Sequence, residues 1–395
     1  DSYEKSKWGH LSRKDVDTPE NRNLARKIAA DSIVLLKNKN GLLPINQSVK
    51  KIMVMGPCAT NINAQLGNYY GLNSKIVTIL EGLLEKTIER TEINIDYHPG
   101  VGMYADSKQR GWTVGMAESA DLVVACFGLD NMMEGEEGDA VESLKGDRDT
   151  IELPEWQLSY LKAIHERGTP IVLVLTGGSA IAFPPELADA IIFAWYPGEE
   201  GGNAIADVIF GDTVPGGHLP VTFPKSTDDL PDFEDYNMKG RTYRYATKEP
   251  LFPFGFGLSY STFSFSNVTV NNKIVNDTIK IDTSDDKNYL TFSVDVSNTG
   301  TREAPEVVQI YVKRTNRTDD EPLYSLRSFQ KVWINSGESK TLDFTLPKEA
   351  FITVDSEGEN QIYSGEYEII IADSAPTDLS QKLGASKELK FVVKI

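Results

Sequence analysis

The sequence predicts an α/β sandwich, a mostly parallel sheet with helices on both faces, followed by an all-β sandwich. Three observations carry this. Through the first 225 residues, short β-rich apolar runs alternate with amphipathic segments at helical spacing. Near Lys225 that pattern stops, and a stretch rich in aromatics, Pro and Gly follows. Beyond Phe263 the apolar period becomes two.

In chain order, residues 1–21 are polar and without periodicity, and read as a linker. Asn21 to Leu36 places Leu24, Ile28, Ile33 and Leu36 near helical spacing and ends at Lys37-Asn-Lys-Asn-Gly41, a helix stop. Strands are expected at Ile52 to Met55, Ile93 to Tyr97, Leu122 to Phe127, Ile171 to Leu175 and Ala190 to Ala194. Helices are expected at Val77 to Arg90, Glu155 to Arg167 and Gly202 to Phe210. Together these give an α/β domain over 22–225. Residues 226–262, with Arg241-Thr-Tyr-Arg-Tyr245 and Pro250 to Tyr260, suit neither a helix nor a long strand and read as an extended segment across another surface. From 263 to 395, alternating runs such as Leu290 to Ser297, Val308 to Val312, Leu342 to Leu346, Tyr367 to Ile371 and Leu389 to Ile395 predict a sandwich of roughly seven strands.

Composition narrows the function. At 395 residues and 40% hydrophobic, the chain can bury a large core. A net charge of −18 argues against nucleic acid and anionic membrane as partners. Two cysteines in apolar runs, Cys58 and Cys126, read as buried free thiols, and four scattered histidines offer no ligand spacing, so neither metal nor cofactor is expected. No apolar run of about 18 residues is present to span a bilayer as a helix. The chain starts Asp1-Ser2-Tyr3, which is the expected look of a piece of something longer.

The chemistry concentrates in Gly128 to Pro154, GLDNMMEGEEGDAVESLKGDRDTIELP, between an expected buried strand and an expected helix. A connection of roughly 25 residues is long where about 2–6 is usual. Glu134, Glu136, Glu137 and Asp139 crowd within it. Crowded carboxylates raise one another's pKa, and a carboxyl still protonated near neutrality can act as a general acid. A solvated acidic loop is the competing reading.

Other motifs carry less. Gly198-Glu-Glu-Gly-Gly202 could open a helix around a phosphate, but its two glutamates would repel the anion, which leaves a tight strand-to-helix turn. Gly56-Pro57 lacks a dinucleotide fingerprint, and Gly177-Gly-Ser179 lacks a nucleophile elbow. Carboxylate chemistry is the remaining enzymatic reading, incomplete because glycoside cleavage needs a second carboxylate across the bond. A carbohydrate-binding or scaffolding module is the alternative, with the aromatic segment Tyr243 to Tyr260 exposed for stacking on sugars.

Several stretches in one order resemble glycoside hydrolase family 3: Ala30 to Asn38 with Gly41-Leu-Leu-Pro44, Trp195-Tyr-Pro-Gly-Glu-Glu-Gly-Gly202, Phe210-Gly-Asp212, Pro215-Gly-Gly-His-Leu-Pro220 and Pro253 to Tyr260. The resemblance spans essentially the whole chain. It implies the α/β sandwich and a fibronectin-III-like domain, with the family's N-terminal (β/α)8 barrel, bearer of the aspartate nucleophile, not in this chain. It also implies that Glu136, in Gly135-Glu136 ahead of Gly146-Asp147-Arg148, is the general acid/base, with Glu134 and Glu137 as neighbouring alternatives. Asp147 and Arg148 are expected to pin the loop as a structural pair. Met132 and Met133 are expected on the aglycone wall or, equally, in core packing, and Tyr69 in Gly67-Asn-Tyr-Tyr70 near the sugar or on a surface turn.

The resemblance further implies retaining, exo-acting hydrolysis of a β-glycoside, a β-glucosidase first and a β-xylosidase or α-arabinofuranosidase second. The implied partners are a β-linked oligosaccharide or an aryl or alkyl glycoside, the barrel of the same protein, and a second copy in a homodimer. The implied location is periplasmic or secreted.

Overall fold

The computed structural model describes residues 3–71, 73–135, 148–271, 273–275, 278–281 and 289–395. After single 3-10 turns at Tyr3–Lys5 and Arg13–Asp15, the α/β unit begins with α1, Pro19–Ser32. Thr18 caps this helix by accepting from the Asn21 N–H, and Pro19 at its first position lacks only an N–H that would be unbonded anyway. There follow β1 (Val34–Asn38), β2 (Lys51–Met55), the one-turn α2 (Asn63–Leu66), α3 (Ile79–Glu89) and β3 (Asn94–His98). Next come α4 (Arg110–Ala117), β4 (Leu122–Gly128), α5 (Glu155–His165), β5 (Ile171–Thr176), β6 (Ala190–Trp195) and α6 (Gly201–Phe210).

The six strands form one sheet in the order β1-β6-β5-β4-β2-β3. From β6 to β3 every pairing is parallel, whereas β1 runs antiparallel along the β6 edge. β4 and β5 are buried along their whole length, as a sheet covered on both faces requires. Two apolar clusters, one on each face, hold it.

The helical spacing read through Leu36 is corrected at its end, since residues 34–38 form the edge strand β1. Ser32 is the last helical residue, and Val34 and Leu35 pair with Phe193 and Ile192. Nor do Leu24 and Ile28 face the core. Both are exposed, and α1 instead buries Ala29 and Ala30.

Residues 215–260 form the seam between the two units. Gly217 N–H donates to Ile33 O, and Leu258 N–H to Leu35 O at 2.8 Å, so the segment lies along β1. Within the segment, Leu219 and Gly255 to Phe256 exchange backbone bonds, as do Phe223 and Phe252. A single helical turn, α7 (Thr242–Tyr245), carries Tyr243, stacked on Phe254 at 4.1 Å between ring centroids. The expectation of an exposed aromatic platform at Tyr243 to Tyr260 is therefore corrected. Phe252 and Phe256 are buried, and the remaining rings are at most partly exposed. Apolar rings gain more by packing between two units than by facing water.

The second unit comprises β7 (Phe263–Val270), β8 (Lys273–Ile274), β9 (Ile279–Lys280), β10 (Leu290–Asn298), β11 (Ala304–Arg314), β12 (Ser325–Ile334) and β13 (Ser339–Leu346). The short β14 (Thr353–Val354) and β15 (Asn360–Gln361), then β16 (Glu366–Ala372), α8 (Asp378–Leu383) and β17 (Leu389–Lys394), complete it. One sheet has the order β13-β10-β7-β8 and the other β12-β11-β16-β17-β9. β10 alternates buried and less buried residues along its length, and Phe292, Phe344, Ile310 and Tyr367 lie in the core between the sheets.

Candidate active site

Strand order locates the site. β2 leads to β3 on one side while β4 leads through β5 and β6 on the other, so the order reverses between β2 and β4. Ligands of open α/β sheets bind beyond the carboxyl ends of the strands at such a point. The acidic connection leaves the end of β4 there.

Asp130, fully buried two residues past β4, builds the start of that connection. Its Oδ1 accepts from the Met132 and Met133 N–H groups at 3.1 and 3.2 Å. Its Oδ2 accepts from Asn61 Nδ2 at 3.0 Å and from the Tyr104 hydroxyl at 2.5 Å. Burial, then the hydrogen bond and charge of Asp130, push the Tyr104 phenol upward, so it stays a donor. One carboxylate thus ties the loops after β2, β3 and β4 together.

Glu134 completes the frame. Its Oε2 accepts from the Gly178 N–H at 2.7 Å and from the Tyr196 hydroxyl, while Oε1 accepts from Ser179 Oγ at 3.0 Å and lies 3.4 Å from Arg148 Nη2. The two side chains of that ion pair are only 11% and 13% exposed. Arg148 also donates to Ser179 Oγ and, at 3.2 Å, to Ala180 O. Burial first, then the charge of Glu134, raises the Tyr196 phenol. A Cβ on residue 178 would stand 3.0 Å from Glu134 Oε2 and 3.1 Å from the Tyr196 ring, so a larger residue there would press on both. Donors from the loops after β5 and β6, together with Arg148, thus meet both oxygens of Glu134.

The sequence-derived site residues fall as follows. Glu136, Glu137 and Asp147 lie outside the described residues. Met132 is 48% exposed on the turn held by Asp130, whereas Met133 turns inward against both apolar clusters of the α/β unit. Tyr69 is 87% exposed with φ +58°, on a turn joined to the acidic connection where Asn68 Nδ2 donates to Glu134 O at 3.2 Å. Arg148 holds one end of the connection in place, through Glu134. Glu199 and Glu200 pair with Arg22 at the start of α6, so Gly198 to Gly202 is a turn already occupied by carboxylates.

A scan against protein-family models matches the glycosyl hydrolase family 3 C-terminal domain over residues 33–260. The chain belongs to glycoside hydrolase family 3. A fibronectin type III-like domain matches residues 306–375. Among curated family 3 relatives, a xylan 1,4-β-xylosidase of Xylanibacter ruminicola is 38% identical over 83% of this chain and 36% of its own length. A periplasmic β-glucosidase of Salmonella typhimurium is 31% identical over 93% of this chain and 51% of its own. Among solved structures, a GH3 exo-β-xylosidase bound to a xylobiose aziridine probe aligns with TM-score 0.82 and 26% identity, covering 99% of this chain and 51% of that one. The chain spans about half the length, or less, of the relatives it matches.

Sequence reasoning did not find Asp130, Tyr104, Ser179 or Tyr196. A signal existed for two of them: Asp130 is a charged residue directly after a fully apolar strand, and Tyr196 lies inside the Trp195 to Gly202 motif. Ser179 and Tyr104 carry no such mark, because their contacts are made across the fold.

Proposed function

We propose that this chain supplies the general acid/base and part of the aglycone subsite of a retaining, exo-acting β-glycoside hydrolase whose nucleophile lies on a barrel outside this chain. The observation that carries the reading is the place of the acidic connection, at the carboxyl end of β4 where the strand order reverses, with its two ends fixed through Glu134 and Arg148. In the first step an aspartate carboxylate bonds to the anomeric carbon as the glycosidic C–O bond breaks, and the proton of Glu136 passes to the leaving oxygen. In the second, Glu136 takes a proton from water, whose oxygen displaces the aspartate and restores it. The two carboxyl groups must stand about 5–5.5 Å apart, so the barrel has to pack against this edge. Met132 and Tyr69, both exposed beside the acidic connection, are assigned to the aglycone and sugar subsites. A periplasmic or secreted location agrees with the name of the Salmonella relative.

Glucosides are the first substrate class and xylosides the second, and the 38% identity to the xylosidase relative, against 31% to the glucosidase, is the observation that keeps the second reading. Assays of aryl β-glucoside and β-xyloside with this chain, the barrel half and both together test the division. Turnover only on mixing is expected. Turnover by this chain alone overturns the proposal, and the ratio of kcat/KM on the two substrates sets the sugar.

A further inference from the structure

Glu134 belongs to the same acidic cluster as Glu136 and was a candidate for the same proton. Its surroundings give it a different task. Its carboxylate touches the ends of three parallel strands' connections: its own after β4, Gly178 and Ser179 after β5, and Tyr196 after β6. Through Arg148 it also touches the far end of the acidic connection. Residues 134 and 148 are thereby held next to each other across fourteen positions of sequence. The Tyr196 ring packs where a Cβ on Gly67 would meet it at 3.0 Å and one on Gly178 at 3.1 Å, so the turn bearing Tyr69 rests on the same ring.

We propose that Glu134 is a positioning residue of the hydrolysis: with Tyr196, Ser179 and Arg148 it holds residues 134 and 148, which flank Glu136 in sequence, in a fixed relation to the ends of β5 and β6. This rests on the function proposed above. A carboxylate suits the task because it accepts several hydrogen bonds at once and pairs with a guanidinium, whereas an amide in its place would turn an N–H₂ toward donors. Geometry matters because a displacement of about 1 Å can cost on the order of 10²-fold in rate. The loss must also depend on the leaving group, since only a poor leaving group needs a well-placed proton.

The test uses the full-length enzyme that contains this chain, with Glu134→Gln, Tyr196→Phe and Glu136→Ala compared on an alkyl or disaccharide β-glycoside and on a dinitrophenyl β-glycoside. Values of kcat/KM report the first chemical step. Glu134→Gln is expected to lower kcat/KM about 10–100-fold on the poor leaving group and less than about threefold on the activated one. Tyr196→Phe should give a smaller loss with the same selectivity, and it keeps the test open if Glu134→Gln does not fold. The basic limb of the kcat/KM profile, which reports the proton donor, should shift in both. Equal losses on both substrates, or none, overturn the positioning role while leaving the acid assignment intact if Glu136→Ala is selective. A silent Glu136→Ala beside a selective Glu134→Gln makes Glu134 itself the acid and overturns both. Two non-selective variants likewise end both.

Discussion

Glu134 and Glu306 are both acidic side chains withdrawn from water, and the two regions that hold them differ in what they offer a carboxylate. At the sheet edge, Glu134 meets a backbone N–H, two hydroxyls and a guanidinium. Beside the seam, on β11, whose Pro305 and Gln309 meet Gly216 and Gly255, Glu306 is 5% exposed and its Oε1 accepts from the N–H of the next residue, Val307, at 3.1 Å. Nearby, Asp373 takes the Ser386 N–H on Oδ2 at 2.7 Å, while its buried Oδ1 has no hydrogen-bond partner among the described residues. Burial, and then the charge of Asp373, raises Glu306 well above the usual carboxylate range, and burial raises Asp373 too. An acid surrounded by donors is fixed in place. One buried with few of them, as Glu306 is, keeps its proton more tightly than in the unfolded chain, and that difference makes stability depend on pH. Substitutions at the edge should therefore change turnover, and those at the seam should change stability.

The largest expected effect lies at the edge. In the full-length enzyme, Glu136→Ala should lower kcat/KM for poor leaving groups about 10²–10⁴-fold, or about 3–5 kcal/mol of transition-state stabilisation, and spare activated aryl glycosides. Paired with Glu306→Gln, which should leave the ratio of the two substrates unchanged, it tests whether turnover and stability separate by region. A comparable change of that ratio from the seam would break the distinction.

The same contrast explains what could be read from the sequence. Layered architecture was legible because β4 and β5 are continuous apolar runs and β10 alternates, and those periods reflect burial on two faces or one. The end of α1 was not, because Ile33 and Leu36 continue helical spacing into an edge strand whose partner, β6, is more than 150 residues away in sequence. At the site, the acidic connection was conspicuous by its length. That Glu134 is met by Gly178, Ser179 and Tyr196, brought there by β5 and β6, is encoded by no local pattern. At the seam, Pro215 to Pro220 and Pro253 to Tyr260 were recognisable as motifs but not as halves of one contact. Gln309 Nε2 joins Gly255 O to Asp373 O at 2.9 and 2.7 Å, and a Cβ on Gly255 (φ +74°) would fall 2.2 Å from Gln309 Oε1.

The second effect is on stability. Glu306 binds its proton more tightly folded than unfolded, so its contribution is fully present below the unfolded pKa of about 4.3 and is lost as pH rises toward the folded value. Glu306→Gln keeps the shape and removes the titration. Denaturant unfolding at pH 7.5 should show it more stable than the parent by about 1–3 kcal/mol, with the gain vanishing near pH 4. A gain of equal size at both pH values would assign the effect to packing.

The smallest effect comes from the histidine on the other side of the same seam, and it has the opposite slope. His218 Nδ1 donates to Gly255 O at 2.6 Å, and burial lowers the imidazole to about 4, with Lys331 pushing the same way and the carbonyls of Gly255 and Asp373 against. A base whose folded pKa lies below its unfolded value leaves the unfolded chain holding more protons between about pH 6.5 and 4, so stability falls as pH falls through that window. His218→Asn retains a donor near Nδ1 and cannot titrate. It should cost about 1 kcal/mol at pH 7 through an imperfect hydrogen bond, and the parent's advantage should shrink or reverse by about 1–2 kcal/mol at pH 4.5, allowing for the part of the ring that solvent reaches. Because Glu306 and His218 tilt the curve in opposite directions, the double variant should have a flatter pH–stability profile than either single one. A double-variant profile as steep as that of either single variant would place the titration on another group, such as Asp373.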